Sequence, residues 1–142
     1  MTVLKMTFAA MALGACMTTA PALAETVALK ATLNAASQVP ANDSKGSGTA
    51  AVTFDTASKR LNWKVTYAGL TGPATAGHFH GPADPGKNAG VAVPFAKADT
   101  SPIEGSATLT DTQAVDLLAG KYYVNIHTKA HPGGEIRGQV TK

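Results

Sequence analysis

The sequence predicts an all-β domain, an antiparallel Greek-key β-sandwich or flattened barrel of seven or eight short strands, with one short helix near residues 111–119. Three observations predict this class. Apolar and polar residues alternate with period two along most of the chain, as in half-buried strands. Clusters of Gly, Pro, Asn and Asp separate these stretches at short intervals. Finally, a single stretch carries helix start and stop signals.

The alternating stretches give the strands in chain order. They cover residues 27–34, 49–54, 61–67, 75–80, 91–95, 107–109, 122–128 and 135–140. The alternation is clearest over 61–67, which we expect to form a hairpin with the preceding strand. Pro94 predicts an edge position for its strand, because proline lacks the N–H that a central strand must donate.

The helix prediction depends on its two ends. Thr110 to Gln113 has the form of a capping box, in which a threonine and a glutamine three residues later satisfy each other's backbone N–H groups. Gly120 then provides a stop signal.

The first 24 residues are predicted to be a cleaved export signal. Lys5 precedes an apolar and small-residue run, and Ala22 and Ala24 are the small residues that a signal peptidase reads. The run is too short to span a bilayer comfortably, and no later segment is long and apolar enough. We therefore expect a mature domain of residues 25–142, periplasmic or secreted, with no transmembrane segment. In an alternative interpretation residues 13–16 are a lipobox, and the mature protein is lipid-anchored through Cys16.

Composition narrows the chemistry of the expected mature domain. The only cysteine is Cys16, and all four methionines precede residue 18, so residues 25–142 contain no sulfur. No disulfide can form there, and no thiolate or thioether is present for copper(I). Lysine and arginine are not clustered, which argues against a nucleic-acid partner.

The four histidines are the candidate functional residues. His78 and His80 share one face of a strand, and the apolar Phe79 between them takes the opposite, core-facing side. In the strand over 122–128 the same alternation sends Asn125 and His127 to the outer face.

The last strand completes this outer face. There the alternation turns Glu135 and Arg137 outward, and a turn joins their strand to the one bearing His127. If the strand bearing His78 lies beside this hairpin, one outer face carries the three histidines with both charged residues.

Neutral imidazoles suit copper(II) and zinc, so this arrangement predicts a metal site. The candidate ligands are His78, His80, His127 and, before the turn, His131. Asn125, Glu135 and Arg137 would orient the ligands from behind.

A simpler interpretation remains open for each of these residues. The histidines would then be polar groups on a solvated strand face, with His127 hydrogen-bonded to Glu135 and with Glu135 and Arg137 forming an ion pair. No catalytic residue is assigned, because the chain has neither a Gly-x-Ser-x-Gly elbow nor a glycine-rich phosphate loop.

Three segments resemble the CHRD domain, which is found in chordin and as a single module in many exported bacterial proteins. They read HFHG at 78–81, LAGKYYVNIHT at 118–128 and GGEIRGQ at 133–139. Residues 36–40 read ASQVP, where the family favours an acidic residue before Val-Pro. The resemblance covers nearly the whole expected mature chain and implies a β-sandwich, without assigning an activity.

A looser similarity is to copper/zinc superoxide dismutase, an exported β-sandwich with a His-x-His strand that supplies copper ligands. His78 and His80 correspond to that pair. The disulfide cysteines are missing, and only His131 and Asp84 remain for a zinc subsite.

Three functional hypotheses follow. The first is an exported protein that holds copper(II) or zinc for sequestration or delivery. The second is a metal-free module that binds an envelope protein or a glycan, and the third is a dismutase-like redox enzyme. The sequence does not distinguish copper from zinc, or a monomer from an oligomer.

Overall fold

A computed structural model describes residues 23–142, which form eight antiparallel strands in one sheet that is nearly barrel-shaped. The predicted all-β class is confirmed. Cys16 and the predicted export signal, except for its last two residues, lie outside the described range. The strands are β1 (Thr26–Asn34), β2 (Ser47–Asp55), β3 (Arg60–Ala68), β4 (Ala74–His80), β5 (Val91–Pro94), β6 (Ile103–Thr108), β7 (Tyr123–Thr128) and β8 (Ile136–Gln139), with helix α1 (Asp111–Leu118) between β6 and β7.

The strand order across the sheet is β5-β4-β7-β8-β1-β2-β3-β6. The predicted β2–β3 hairpin is confirmed, with Asp55 opposite Arg60 at its closed end. The strand that carries Pro94 lies at an edge, also as predicted. Most important for function, β4 pairs directly with β7 and β7 with β8, so the adjacency that the metal hypothesis required is present.

Aromatic side chains join the two halves of the sheet. Trp63 on β3 packs edge-on against Phe79 on β4, with ring centroids 5.4 Å apart. It also stacks on Phe95, at 5.2 Å. Because β3 and β4 lie far apart in the strand order, these contacts require the sheet to fold back around a shared core.

Helix α1 has the predicted ends. The Thr110 hydroxyl accepts a hydrogen bond from the Gln113 amide at 3.2 Å, and the Gln113 carboxamide accepts one from the Thr110 amide at 3.0 Å. Gly120 follows with φ 74°, a left-handed conformation that suits glycine. No helix within residues 23–142 is both long and apolar enough to cross a membrane.

The outer face of β4, β7 and β8 is covered, which the alternation did not predict. Gln38, in the loop of residues 35–46, hydrogen-bonds Asn125, and residues 87–88, in the loop of residues 81–90, accept hydrogen bonds from Arg137. Asn125 is only 4 % and Arg137 only 2 % exposed. The pattern gives the correct side of the sheet for both residues. It carries no information about distant loops that fold back over that side.

Candidate metal centre

Three of the four histidines come together on the covered outer face. His78 and His80 project from β4 and His127 from β7. One ring nitrogen from each lies within 4.8 Å of the others. The pairing of β4 with β7 brings about this arrangement, because His78 lies opposite Asn125 and Ala76 opposite His127.

Backbone carbonyls determine which nitrogen carries the proton in two of these rings. His80 Nδ1 lies 3.0 Å from the Ala89 carbonyl oxygen, and His127 Nδ1 lies 2.9 Å from that of Pro132. A carbonyl only accepts hydrogen bonds, so each Nδ1 must be the donor. In the neutral rings both Nε2 atoms therefore keep their lone pairs.

Among the described residues, the lone pair of His80 Nε2 has no partner. Its Nε2 is buried and makes no hydrogen bond to any residue in the described part of the chain. The lone pair of His127 Nε2 lies 3.1 Å from His78 Nδ1, which donates to it when no metal is bound. The cluster thus contains one acceptor without a hydrogen bond, His80 Nε2, next to a hydrogen-bonded pair of nitrogens, His78 Nδ1 and His127 Nε2.

These separations fit a transition metal. Metal–nitrogen bonds of about 2.0–2.1 Å at tetrahedral angles place neighbouring ligand nitrogens about 3.3 Å apart. His78 Nδ1 and His127 Nε2 are already close to that distance. The widest separation in the group, at most 4.8 Å, has to shorten by a side-chain adjustment.

Burial favours the neutral form of His78 and His80, the form in which imidazole binds a metal. Burial, reinforced by the charges of His127 and His80, lowers the pKa of His78 to about 4. Burial also lowers the pKa of His80, opposed by its hydrogen bond to Ala89 and assisted by the charges of His127 and Arg137. Protons therefore compete weakly for these two rings near neutral pH.

An aromatic residue that the sequence analysis did not select lies against the centre. The Tyr123 ring stacks on His80, with centroids 4.9 Å apart and an interplanar angle of 2°. Alternation places Tyr123 on the outer face, but only the β4–β7 register puts it opposite His80. The register was not available from the sequence.

Glu135 has a different role from the two that were predicted. It forms no ion pair with Arg137 and no hydrogen bond to His127. Its fully buried carboxylate accepts hydrogen bonds from the hydroxyls of Ser44, Thr71 and Thr128 and from the Thr71 amide, at 2.6–2.8 Å. Burial acts to raise its pKa, but these bonds outweigh burial and lower the pKa to about 2.

The structure also shows the surroundings of three other residues that the sequence analysis named: Asn125, His131 and Asp84. Asn125 accepts a hydrogen bond from Gln38 at 2.8 Å and holds the turn before β8 instead of a histidine. Within residues 23–142, the group of metal-ligating side chains at this centre does not include His131. Asp84, the other residue left for a zinc subsite, pairs with Lys121.

Comparison with known proteins gives one match. The family model of the CHRD domain matches residues 29–140. Neither a curated protein nor a solved structure matches the chain.

Proposed function

We propose that this chain, which belongs to the CHRD domain family, binds copper(II) or zinc through His78, His80 and His127. Membership of the family implies a fold but no activity, so the proposal rests on the geometry of the site. The observation that carries the proposal is the unsatisfied Nε2 of His80, held next to two further imidazoles. A buried acceptor without a partner costs about 1–3 kcal/mol. A metal ion would remove that cost.

The proposal also explains why backbone carbonyls accept hydrogen bonds from the Nδ1 atoms of His80 and His127. Metal-binding histidines usually donate their second ring N–H to a carbonyl or carboxylate, which fixes the tautomer and aims the free nitrogen. Ala89 and Pro132 provide such acceptors for His80 and His127. A solvated polar face would not need either contact.

The position of the site in the family's pattern supports the same proposal. The three segments that carry the resemblance, residues 78–81, 118–128 and 133–139, lie on or next to β4, β7 and β8. These strands are neighbours in the sheet. The first two segments contain the three ligands of the proposed site, and the third lies beside them on β8.

We propose sequestration or delivery of the metal outside the cytoplasm as the role of such a site. Residues 25–142 offer no sulfur, so the ligands are nitrogen alone. Imidazole nitrogen suits copper(II) and zinc, whereas thiolates and thioethers favour copper(I).

Calorimetric titration of the metal-free protein with zinc and copper(II) tests the proposal. We expect one ion per chain, and we expect His78→Ala combined with His80→Ala to weaken binding by about 100-fold or more, because two of three ligands are lost. His131→Ala is the matched control and should bind as the wild type does. Absence of stoichiometric binding, or equal binding by the double variant, would refute the site.

A further inference from the structure

We infer that Tyr123, supported by Arg137, is a positioning residue that fixes both the ring plane and the tautomer of His80. This inference rests on the proposed function, because it concerns how one ligand of that site is held. Three separate contacts carry it.

The first contact is between rings. Tyr123 and His80 are nearly parallel, with an interplanar angle of 2° and centroids 4.9 Å apart. Rotation of the imidazole about its χ2 angle would break this stacking. The tyrosine ring therefore holds the plane in which His80 presents Nε2.

The second contact runs through the backbone of Ala89. The Tyr123 hydroxyl accepts a hydrogen bond from the Ala89 amide at 3.1 Å. The same hydroxyl donates a hydrogen bond to the Ala89 carbonyl oxygen at 3.2 Å. The same carbonyl accepts the proton of His80 Nδ1. By fixing this peptide, Tyr123 fixes the acceptor that determines the tautomer of His80.

The third contact holds Tyr123 from behind. The guanidinium carbon of Arg137 lies 3.4 Å from the centroid of the Tyr123 ring. Since β7 lies between β4 and β8, the tyrosine ring lies between His80 and Arg137. Such a cation–π contact is stronger when the pair is shielded from water, and Arg137 is only 2 % exposed.

Arg137 also fastens the loop that contains Ala89. Its Nη2 donates to the Lys87 carbonyl at 2.6 Å and its Nη1 to the Asn88 side chain at 3.0 Å. Arg137 thus contacts both the Tyr123 ring and residues 87–88 of the loop, and so helps to hold the ring and the loop in place relative to each other. His80, Tyr123, Arg137 and residues 87–89 form what we term the His80 clamp.

The variant Tyr123→Phe distinguishes the contribution of the Tyr123 hydroxyl from that of its ring. This variant keeps the stacking and loses both hydrogen bonds to Ala89, so we expect the Nδ1–H tautomer of His80 to lose its dominance. Nitrogen-15 NMR of the ring in the metal-free protein measures that directly. Zinc affinity should fall about 10-fold, the lower end of the effect of losing a partner that orients a ligand.

A matched control removes an equivalent hydroxyl elsewhere. The Tyr67 hydroxyl donates to the Ala98 carbonyl at 2.7 Å, on the other half of the sheet. Tyr67→Phe should leave the His80 tautomer and the zinc affinity unchanged. Asn88→Ala is a second test variant at an exposed position, chosen to fold even if Tyr123→Phe does not, and should change both quantities in the same direction as Tyr123→Phe.

The outcomes distinguish this inference from the proposed function. An unchanged tautomer and unchanged zinc affinity in both Tyr123→Phe and Asn88→Ala would overturn the clamp while the metal site stands. A tautomer change in a protein that binds neither zinc nor copper(II) would support the clamp and refute the metal site. Equal effects of Tyr67→Phe and Tyr123→Phe would overturn the clamp, because the effect would then not be local.

Discussion

At the scale of single residues, Glu135 is a buried carboxylate that forms no ion pair within residues 23–142. Four hydrogen bonds stabilise its carboxylate, from Ser44, Thr128 and the amide and hydroxyl of Thr71. The folded-state pKa of about 2 lies below the ordinary value of 4.5. The difference corresponds to about 3 kcal/mol of folding free energy.

The sign of this contribution follows from the lowered pKa. The stabilisation is complete above pH 4.5, where the carboxylate is ionised in the folded and unfolded states alike. It is lost as the pH falls from 4.5 towards 2, because the unfolded state takes up the proton first. Urea unfolding at a series of pH values should show this loss in the wild type.

Glu135→Gln should be less stable than the wild type at pH 6 by about 2–3 kcal/mol, since an amide cannot accept all four donors. The difference between the two should shrink towards pH 2. Glu104→Gln, which removes an exposed partner of Lys64, is the control and should cost little. A wild type and Glu135→Gln with parallel pH profiles would contradict this assignment.

At the scale of elements, the capping box of α1 gives a local prediction. Thr110→Ala removes the hydroxyl that accepts from the Gln113 amide and should destabilise the protein by about 1 kcal/mol. Thr112→Ala makes the same chemical change at an exposed position inside the helix, where alanine has the higher helix propensity, and should cost nothing. Urea midpoints of the two variants test this. Similar losses in both would show that the cap contributes no specific stability.

The elements also show how far sequence reasoning extends. Alternation placed Phe79, Val124 and Ile126 in the core and the histidines on the opposite face, and capping residues predicted α1. These are local patterns with a fixed period. The stacking of Tyr123 on His80 depends on strand register, so no local pattern predicts it. Two of the three residues that donate to Glu135, Ser44 and Thr71, are distant in sequence, so no local pattern predicts them either.

At the scale of the whole molecule, the proposed metal site and the core share one strand, β4. Phe79 lies between two candidate ligands in sequence, is fully buried, and contacts Trp63 from the other half of the sheet. The packing that closes the sheet thus also sets the position of β4. We expect damage at this contact to reach the site, whereas equal damage elsewhere in the core should not.

Phe79→Leu and Phe54→Leu test this coupling with the same substitution at two buried positions. Phe54 is 1 % exposed and lies on β2, away from the histidines. Each change should cost about 1–2 kcal/mol, less than the 3–5 kcal/mol of truncation to alanine. Unfolding followed by the fluorescence of Trp63, the single tryptophan, measures that cost.

Zinc titration of the two folded variants then separates local from global effects. Phe79→Leu should weaken zinc binding several-fold, because a shift of β4 moves His78 and His80 relative to His127. Phe54→Leu should bind zinc as the wild type does. If both variants lost affinity in proportion to their stability, binding would depend on the fold as a whole, and the strand shared by core and site would have no special role.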